Sequence, residues 1–231
     1  MNNNDCKTVY FKSKDGLSIT ADLYEVEKPA GFILLCHRSH CNRGEYRETA
    51  PKLNKLGYSC LAIDQRSGMN VFGVVNETKK LAKEKGLQTG YLDAKPDIEA
   101  AIDYAYELNK KKPIILFGSS YSASLALMIS TETNKVKATV AFSPGEYLKG
   151  VNVAEQIKLT SKPIFVTSTK KEIEQVKAVI RYVDKKNVTH FKPQVEGFHG
   201  SKTLWNEVKG NEDYWQALQK FLSDDYQIAK G

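Results

Sequence analysis

The sequence has no long hydrophobic run. Its apolar stretches stay far below the roughly 18 residues that a membrane-spanning helix requires. The start of the chain, MNNNDCKTVYF, also lacks the apolar segment that defines a signal peptide. We therefore expect a cytoplasmic protein with no membrane partner. Residues 1–6 are expected to be disordered, or to be a non-native start that replaces a leader.

Cysteine is scarce too, with Cys6, Cys36, Cys41 and Cys60 in the whole chain. Small secreted domains that depend on disulfides contain a far higher share of cysteine. Cys36 and Cys41 would have to bridge across a short junction between a strand and a loop. We therefore expect the thiols to be free.

The basic residues form no nucleic-acid-binding pattern, although the formal net charge is +7. Such a pattern interleaves Lys and Arg with aromatic side chains on one element. Here the lysines occur in short groups beside expected turns, as in Lys110 to Lys112, which is typical of a solvated surface. The chain also lacks internal repeats and Pro/Gly-rich linkers. We therefore expect one domain over residues 1–231, a monomer or homodimer, with no nucleic-acid partner.

What the sequence does contain is an alternation of strand-like and helix-like segments. Two alternating runs flank the turn signal Asp15-Gly16, which predicts an antiparallel hairpin near the N-terminus. Later runs are apolar throughout, as expected for parallel strands that are covered on both faces. They are GFILLC, YSCLAID, PIILFG, VKATVAF, PIFVT and, more weakly, VTHFKPQV.

Helical periodicity separates these strands. The clearest helix begins at Asp97 and runs to Leu108, and further helical patterns span residues 48–56, 122–131, 173–183 and 214–222. This order predicts an α/β fold with a mostly parallel, doubly wound sheet of about eight strands, as in the α/β layer architectures. We expect a minimal lid or none. The long connection from Gly68 to Gly90 is expected to carry function or extra structure.

The segment CHRSHC, from Cys36 to Cys41, contains four side chains of the types that bind zinc or iron. Tetrahedral sites normally take their ligands as two separated pairs, because four neighbouring side chains cannot converge on one ion. Side chains at the end of a strand also point in diverging directions. We therefore expect no metal and no other cofactor, and we keep a metal-binding protein that uses this segment as an alternative.

The segment GSSYSASL follows the strand KPIILF and opens a helix. A strand, a tight turn with a serine between small residues, and a helix form a nucleophile elbow, usually written G-x-S-x-G. The frame centred on Ser120 places Gly118 and Ser122 at the two small positions. The neighbouring frames place Phe117 at the first small position or move the turn into the helix. Ser120 is therefore the predicted nucleophile.

A serine nucleophile needs a base, and the base needs an acid that orients it. In this chain order the base follows the last strand, where His199 stands in the loop GFHG. The acid follows the strand PIFVT, where no aspartate occurs. Glu172 is the nearest carboxylate, and Glu174 is the alternative. Either glutamate would also suit the start of a helix.

With these residues together, the chain resembles the α/β-hydrolase superfamily and, within it, the dienelactone-hydrolase-like branch. The resemblance covers nearly the whole chain and rests on the segments CHRSHCNRGEY, LAIDQRSG, YLDAKPDIEAAIDYA, FGSSYSASL and GFHG. The chain is similar in particular to a group of bacterial proteins whose substrates are mostly unassigned. Dienelactone hydrolases use a cysteine nucleophile, whereas this sequence has Ser120 at that position.

The resemblance implies an oxyanion hole of two backbone N–H groups. In this sequence they belong to Tyr121 and to Ser39, with Arg38 as the alternative to Ser39. It also implies a serine esterase that cleaves a small-molecule acyl substrate, an ester, thioester or lactone, through an acyl-enzyme. A catalytically inactive binding protein on the same fold is the alternative, because the usual aspartate is missing from the acid position.

Overall fold

A sheet of eight strands forms the centre of the computed structural model, which describes residues 6–228. The strands are β1 (Lys7–Lys12), β2 (Ser18–Tyr24), β3 (Gly31–Cys36), β4 (Tyr58–Ile63), β5 (Ile114–Ser119), β6 (Val136–Phe142), β7 (Ile164–Thr167) and β8 (Val188–His190). Their order across the sheet is β1-β2-β4-β3-β5-β6-β7-β8. The expectation for residues 1–5 lies outside the described residues.

Helices cover both faces of this sheet. They are α1 (Thr49–Lys55), α2 (Glu77–Glu84), α3 (Lys95–Leu108), α4 (Tyr121–Glu132), α5 (Val153–Gln156), α6 (Ile173–Val179) and α7 (Asn211–Ile228). α1 and α7 pack on one face, and α2 to α6 pack on the other. Within residues 6–228, no helix combines the length and the apolar character needed to cross a membrane.

The strand directions confirm the predicted α/β fold. β1 and β2 form an antiparallel hairpin around Asp15-Gly16, and β2 pairs antiparallel with β4. The other strand pairs are parallel. The connection between β6 and β7 contains only the single helical turn α5, so the lid is minimal, as predicted.

Side chains along the central strands alternate between two cores. On β3, Leu34 and Cys36 pack in the core beneath α3 and α4, whereas Ile33 and Leu35 pack beneath α1 and α7. Burial on both faces explains why these strands are apolar throughout. Each fully buried leucine or isoleucine contributes about 1.5 to 3 kcal/mol. The two cores therefore hold the strand ends, and the loops that follow them, in fixed positions.

Two segments differ from the sequence predictions, and a third, the connection from Gly68 to Gly90, contains extra structure as expected. The connection from Gly68 to Gly90 contains α2, which was not predicted as a helix and is capped by the Asn76 side chain accepting from the Lys79 N–H. α2 is amphipathic, but it has only eight residues and is mostly polar, with Thr78 and Ala82 as its buried positions, so few apolar residues mark it in the sequence. The helix predicted over residues 173–183 ends at residue 179. The strand predicted from VTHFKPQV ends at residue 190, before Pro193, which cannot donate a ladder hydrogen bond.

The carboxyl ends of β3 and β5 lie side by side, with Cys36 paired to Gly118. The chain after β3 leads to α1 on one face of the sheet, whereas the chain after β5 leads into α4 on the other face. Open α/β sheets bind ligands in the crevice that forms where neighbouring connections diverge in this way. The fold therefore places the segment CHRSHC next to the predicted elbow.

Candidate active site

Ser120 occupies the sharp turn between β5 and α4. Its backbone has φ 61° and ψ −125°, a conformation that a residue with a side chain rarely adopts. A Cβ atom at Gly118 would lie 2.4 Å from the backbone oxygen of Ser122, so the turn closes only around a glycine at that position. The Ser120 N–H donates to the Phe142 carbonyl at 2.8 Å, which secures the turn to β6.

Ser122 replaces the second glycine of the elbow pattern, and its hydroxyl is fully hydrogen-bonded. Its Oγ donates to the Cys36 carbonyl at 2.7 Å and accepts from the Ser119 N–H at 2.9 Å. The side chain is completely buried. Ser122 therefore ties the start of α4 to the end of β3, a link that glycine cannot provide.

The structure brings the three predicted triad residues into contact. The Ser120 Oγ lies 2.8 Å from His199 Nε2, and the His199 Nδ1 lies 2.5 Å from Glu172 Oε1. With an ionised glutamate, Nδ1 carries the proton and donates to Oε1, which leaves Nε2 to accept from the serine hydroxyl. This hydrogen-bond pattern can raise the nucleophilicity of a serine.

Glu172 holds its place by capping the helical turn that precedes α6. Its Oε2 accepts from the Thr169 N–H at 3.2 Å in a capping box, and from the Ser143 hydroxyl at 2.8 Å. Burial alone would raise the pKa of Glu172, but the hydrogen bonds from His199, Ser143 and Thr169 lower it to about 2. The carboxylate is therefore ionised at neutral pH.

The alternative acid, Glu174, lies away from this chain of hydrogen bonds. Its side chain is 80% exposed, and its Oε1 pairs with Lys177 Nζ at 2.5 Å. Within the described residues, Glu174 makes no contact with His199. The structure therefore favours Glu172 as the partner of the imidazole.

The backbone N–H groups of Ser39 and Tyr121 are the two that the resemblance assigned to an oxyanion hole. Neither donates to an acceptor within residues 6–228. The alternative donor, the Arg38 N–H, already donates a hydrogen bond to Glu45 Oε2 at 2.9 Å. Ser39 and Tyr121 therefore keep N–H groups available for a substrate oxygen, and Arg38 does not.

His37 connects two loops beside the elbow. It is fully buried; the Gln65 N–H donates to its Nε2 at 3.0 Å, so its Nδ1 carries the proton and donates to the Arg38 carbonyl at 2.7 Å. Burial lowers the pKa of His37 to about 4, so the ring is neutral. Both ring nitrogens are engaged, and neither has a lone pair free for a metal.

The remaining residues of CHRSHC also lie apart from the triad. His40 is exposed, and its Nδ1 lies 3.0 Å from Met69 Sδ. Cys36 and Cys41 are buried free thiols whose pKa is raised by burial, and all four cysteines are free, as predicted. In the described part of the chain, no group of three or more His, Cys, Asp or Glu side chains is placed to hold a metal ion.

Several aromatic side chains lie against residues that neighbour Ser120 and His199. Tyr91 stacks on Tyr121 with ring centroids 4.4 Å apart, and Tyr147 meets the His199 ring edge-on at 6.4 Å. Phe198 lies beneath the Arg38 guanidinium, 5.8 Å from its ring centroid. Largely apolar walls with few polar groups are typical of sites for small molecules.

The sequence patterns did not identify the polar residues that hydrogen-bond to the triad and to the segments beside it. The Ser143 hydroxyl accepts a hydrogen bond from the Gly200 N–H at 3.0 Å and donates one to the Glu172 carboxylate. Glu45 accepts hydrogen bonds from three loops of the site. These residues lie in turns and loops, where neither helical nor strand periodicity marks a buried position.

A mostly parallel sheet with a serine elbow after β5, followed in the chain by an acid and a histidine, defines a hydrolase of the α/β type. The chain belongs to the hydrolase family described as "Serine aminopeptidase, S33", whose model matches its residues 27–221, and it has the α/β-hydrolase fold. No sequence among the curated proteins is significantly similar to this chain.

Solved structures with the same fold include esterases and dienelactone hydrolases. An esterase from Pyrococcus furiosus is 18% identical, with a TM-score of 0.75 over 95% of this chain and 92% of its own. A dienelactone hydrolase from Anabaena variabilis is 14% identical, with a TM-score of 0.72 over 95% and 97% of the two chains. Est1E from Butyrivibrio proteoclasticus is 15% identical, with a TM-score of 0.69 over 96% and 99%.

Proposed function

We propose that this hydrolase cleaves a small ester, thioester or lactone through an acyl-enzyme on Ser120. The observation that carries the proposal is the unbroken chain of hydrogen bonds from the Ser120 hydroxyl through His199 to Glu172. As the Ser120 Oγ attacks the acyl carbonyl, His199 Nε2 takes its proton, and the Glu172 carboxylate stabilises the imidazolium. The imidazolium then gives that proton to the leaving group.

The negative charge that develops on the carbonyl oxygen needs donors that are already in place. The N–H groups of Ser39 and Tyr121 fill this role, because no acceptor within residues 6–228 occupies them. One such donor contributes on the order of 3 kcal/mol to lowering the barrier. Water, activated by His199, then attacks the acyl-enzyme, releases the acid and regenerates the Ser120 hydroxyl.

The proposed substrate is small and partly apolar. Tyr147 packs edge-on against His199, Phe198 precedes that histidine, and Tyr91 stacks on Tyr121, the residue after the serine. The connection after β6 contributes only one helical turn above the sheet. Structural neighbours named as esterases and dienelactone hydrolases support an ester bond. The family description names an aminopeptidase, so amide substrates belong in the test.

The first test is covalent labelling with a fluorophosphonate probe, which reacts with an activated serine. We expect the purified protein to be labelled and Ser120→Ala to lose the label completely. Ser130→Ala is the matched control, since Ser130 is a buried serine of α4 that contacts only the Leu127 carbonyl through its hydroxyl. Absence of labelling from the folded protein under all conditions would instead support the inactive binding protein.

The second test is a substrate panel. We expect nitrophenyl esters with short acyl chains to be hydrolysed faster than esters with long chains, and faster than aminoacyl nitroanilides. Activity toward the anilides above that toward the esters would contradict the proposed substrate class. It would leave the role of Ser120 intact, because both reactions pass through the same acyl-enzyme.

A further inference from the structure

Glu45 is a buried carboxylate next to the site and has no role in the reaction described so far. It lies in the turn Arg43–Tyr46, which follows the loop after β3, and only 1% of its side chain is exposed. A buried carboxylate is costly unless hydrogen bonds compensate for its lost hydration. The hydrogen-bond partners of the Glu45 carboxylate therefore indicate its role.

The Glu45 carboxylate accepts three hydrogen bonds from three different loops. Oε2 accepts from the Arg38 N–H at 2.9 Å, while Oε1 accepts from the Ser119 hydroxyl at 2.9 Å and from the Ser201 hydroxyl at 2.6 Å. The Ser201 N–H in turn donates to Ser119 Oγ at 2.8 Å. The two serines and the carboxylate thus form a closed hydrogen-bonded triangle.

Each of these partners stands beside a group that the proposed reaction uses. Arg38 precedes the oxyanion donor Ser39, and Ser119 precedes the nucleophile. Ser201 lies two positions after His199, which extends the network to the base. One carboxylate therefore holds the segments of the donor, the nucleophile and the base.

The segment that carries the histidine packs tightly against the end of β5 at Gly200. A Cβ atom at Gly200 would lie 2.5 Å from the Ser119 Oγ. No room remains there for another side chain, and the hydrogen bonds of Ser119 and Ser201 to Glu45 join the two segments at this close contact. The Arg38 guanidinium forms an ion pair with the same carboxylate, with its Nε 3.9 Å from Oε1, and makes no hydrogen bond to it.

We infer that Glu45 is a positioning residue, which sets the distances between the oxyanion donor, Ser120 and His199 without touching the substrate. This inference rests on the proposed function. A misplacement of about 1 Å can cost roughly a hundredfold in rate, because reacting groups must already lie near their attack geometry. Removing the carboxylate should therefore lower kcat much more than it changes KM.

The test compares Glu45→Gln and Glu45→Ala with the unaltered protein in ester hydrolysis. We expect kcat to fall about tenfold in Glu45→Gln and about a hundredfold in Glu45→Ala, with KM changed less than about threefold. The amide keeps one of the two acceptor oxygens, so the glutamine variant should retain more activity than the alanine variant. Circular dichroism and the melting temperature establish that each assay is carried out on folded protein.

Glu48→Gln is the matched control. Glu48 comes from the same segment and its Oε2 accepts from the Asn206 N–H at 3.0 Å, so it also reaches the C-terminal part of the chain. Its side chain makes no hydrogen bond to Arg38, Ser119 or Ser201 within the described residues. We expect its kcat and KM to equal those of the unaltered protein.

Milder variants keep the test decisive if Glu45→Ala does not fold. Ser201→Ala removes one donor, and we expect it to lower kcat in the same direction. In a double-mutant cycle, Ser201→Ala should cost much less in the Glu45→Gln background than in the unaltered protein, because both changes break the same network. A purely structural role would lower the melting temperature and leave kcat of the folded molecules unchanged.

Full kcat in folded Glu45→Gln and Ser201→Ala would overturn the inference, as would equal effects in both backgrounds of the cycle. Neither outcome would touch the proposed function, since Ser120 labelling reports that independently. Retained labelling in Ser120→Ala would remove the proposed function itself, whatever the Glu45 variants show.

Discussion

Glu172 combines two tasks in one side chain. Its Oε2 accepts from the Thr169 N–H of the capping box, while its Oε1 accepts from His199. A glutamate at the third position of the turn can reach back to the cap and across to the histidine loop, whereas an aspartate is one methylene shorter. The longer side chain thus explains how a chain without the usual aspartate still supplies a carboxylate to the imidazole.

We expect Glu172→Gln to lower kcat by about 10² to 10⁴, because the amide no longer stabilises the imidazolium or holds the required tautomer. The measurement is steady-state ester hydrolysis. Glu174→Gln is the matched control, since that carboxylate is exposed and pairs with Lys177. Loss of activity in the Glu174 variant with full activity in Glu172→Gln would reassign the acid.

The ionisation of Glu172 adds a prediction for low pH. Its folded pKa of about 2 lies below the usual value of 4.5, so the ionised form favours the folded state. This contribution is complete above pH 4.5 and is lost as the pH falls toward 2. Urea unfolding across this range should show a shallower pH dependence in Glu172→Gln, and an unchanged slope would contradict the assigned hydrogen bonds.

At the scale of elements, the start of α4 depends on Ser122. Replacing it with glycine restores the usual elbow pattern but leaves the buried Ser119 N–H without its partner. It also removes one of two hydrogen bonds to the Cys36 carbonyl, which still accepts from the Tyr46 hydroxyl at 2.7 Å. We therefore expect Ser122→Gly to lower the free energy of unfolding by about 1 to 3 kcal/mol. Chemical denaturation measures this change.

Ser130→Ala again provides the comparison. Its hydroxyl bonds only to the Leu127 carbonyl within α4, so its loss should cost less than the loss of the Ser122 hydroxyl. An equal or smaller cost for Ser122→Gly would show that the link between α4 and β3 contributes little.

The sequence predicts elements and single reactive residues better than it predicts their partners. Ser120 and His199 stand in local patterns, a strand-turn-helix and a glycine-flanked loop, that can be recognised without the fold. The choice between Glu172 and Glu174 depends on the orientation of one helical turn relative to a distant loop. Glu45 is marked by no local pattern at all, because its burial arises only when three loops meet.

At the scale of the whole molecule, His37 makes stability depend on pH. Its folded pKa is about 4 and its ordinary value is 6.5, so below pH 6.5 the unfolded chain takes up a proton that the folded chain does not. Stability therefore falls as the pH drops from 6.5 to 4, by on the order of 3 kcal/mol for this residue. Urea unfolding at several pH values measures the slope.

We expect His37→Gln to be less stable at neutral pH but to lose less stability between pH 6.5 and 4. His190, whose pKa burial also lowers to about 4, acts in the same direction, so the double variant should have the flattest profile. An unchanged slope in His37→Gln would mean that the ring is not held neutral.

Under the proposed function, the contacts of Glu45 and Ser120 that complete the site join distant parts of the chain. Ser201 lies 156 positions after Glu45, and His199 lies 79 positions after Ser120. Contacts across such separations form late in folding, because the entropy of closing long loops must first be overcome. A ribosome-bound chain that ends before this loop can already build much of its sheet, yet it still lacks the base. Under the proposed function, activity therefore requires a chain that extends past His199, and recovery of activity during refolding reports the closing of these long-range contacts.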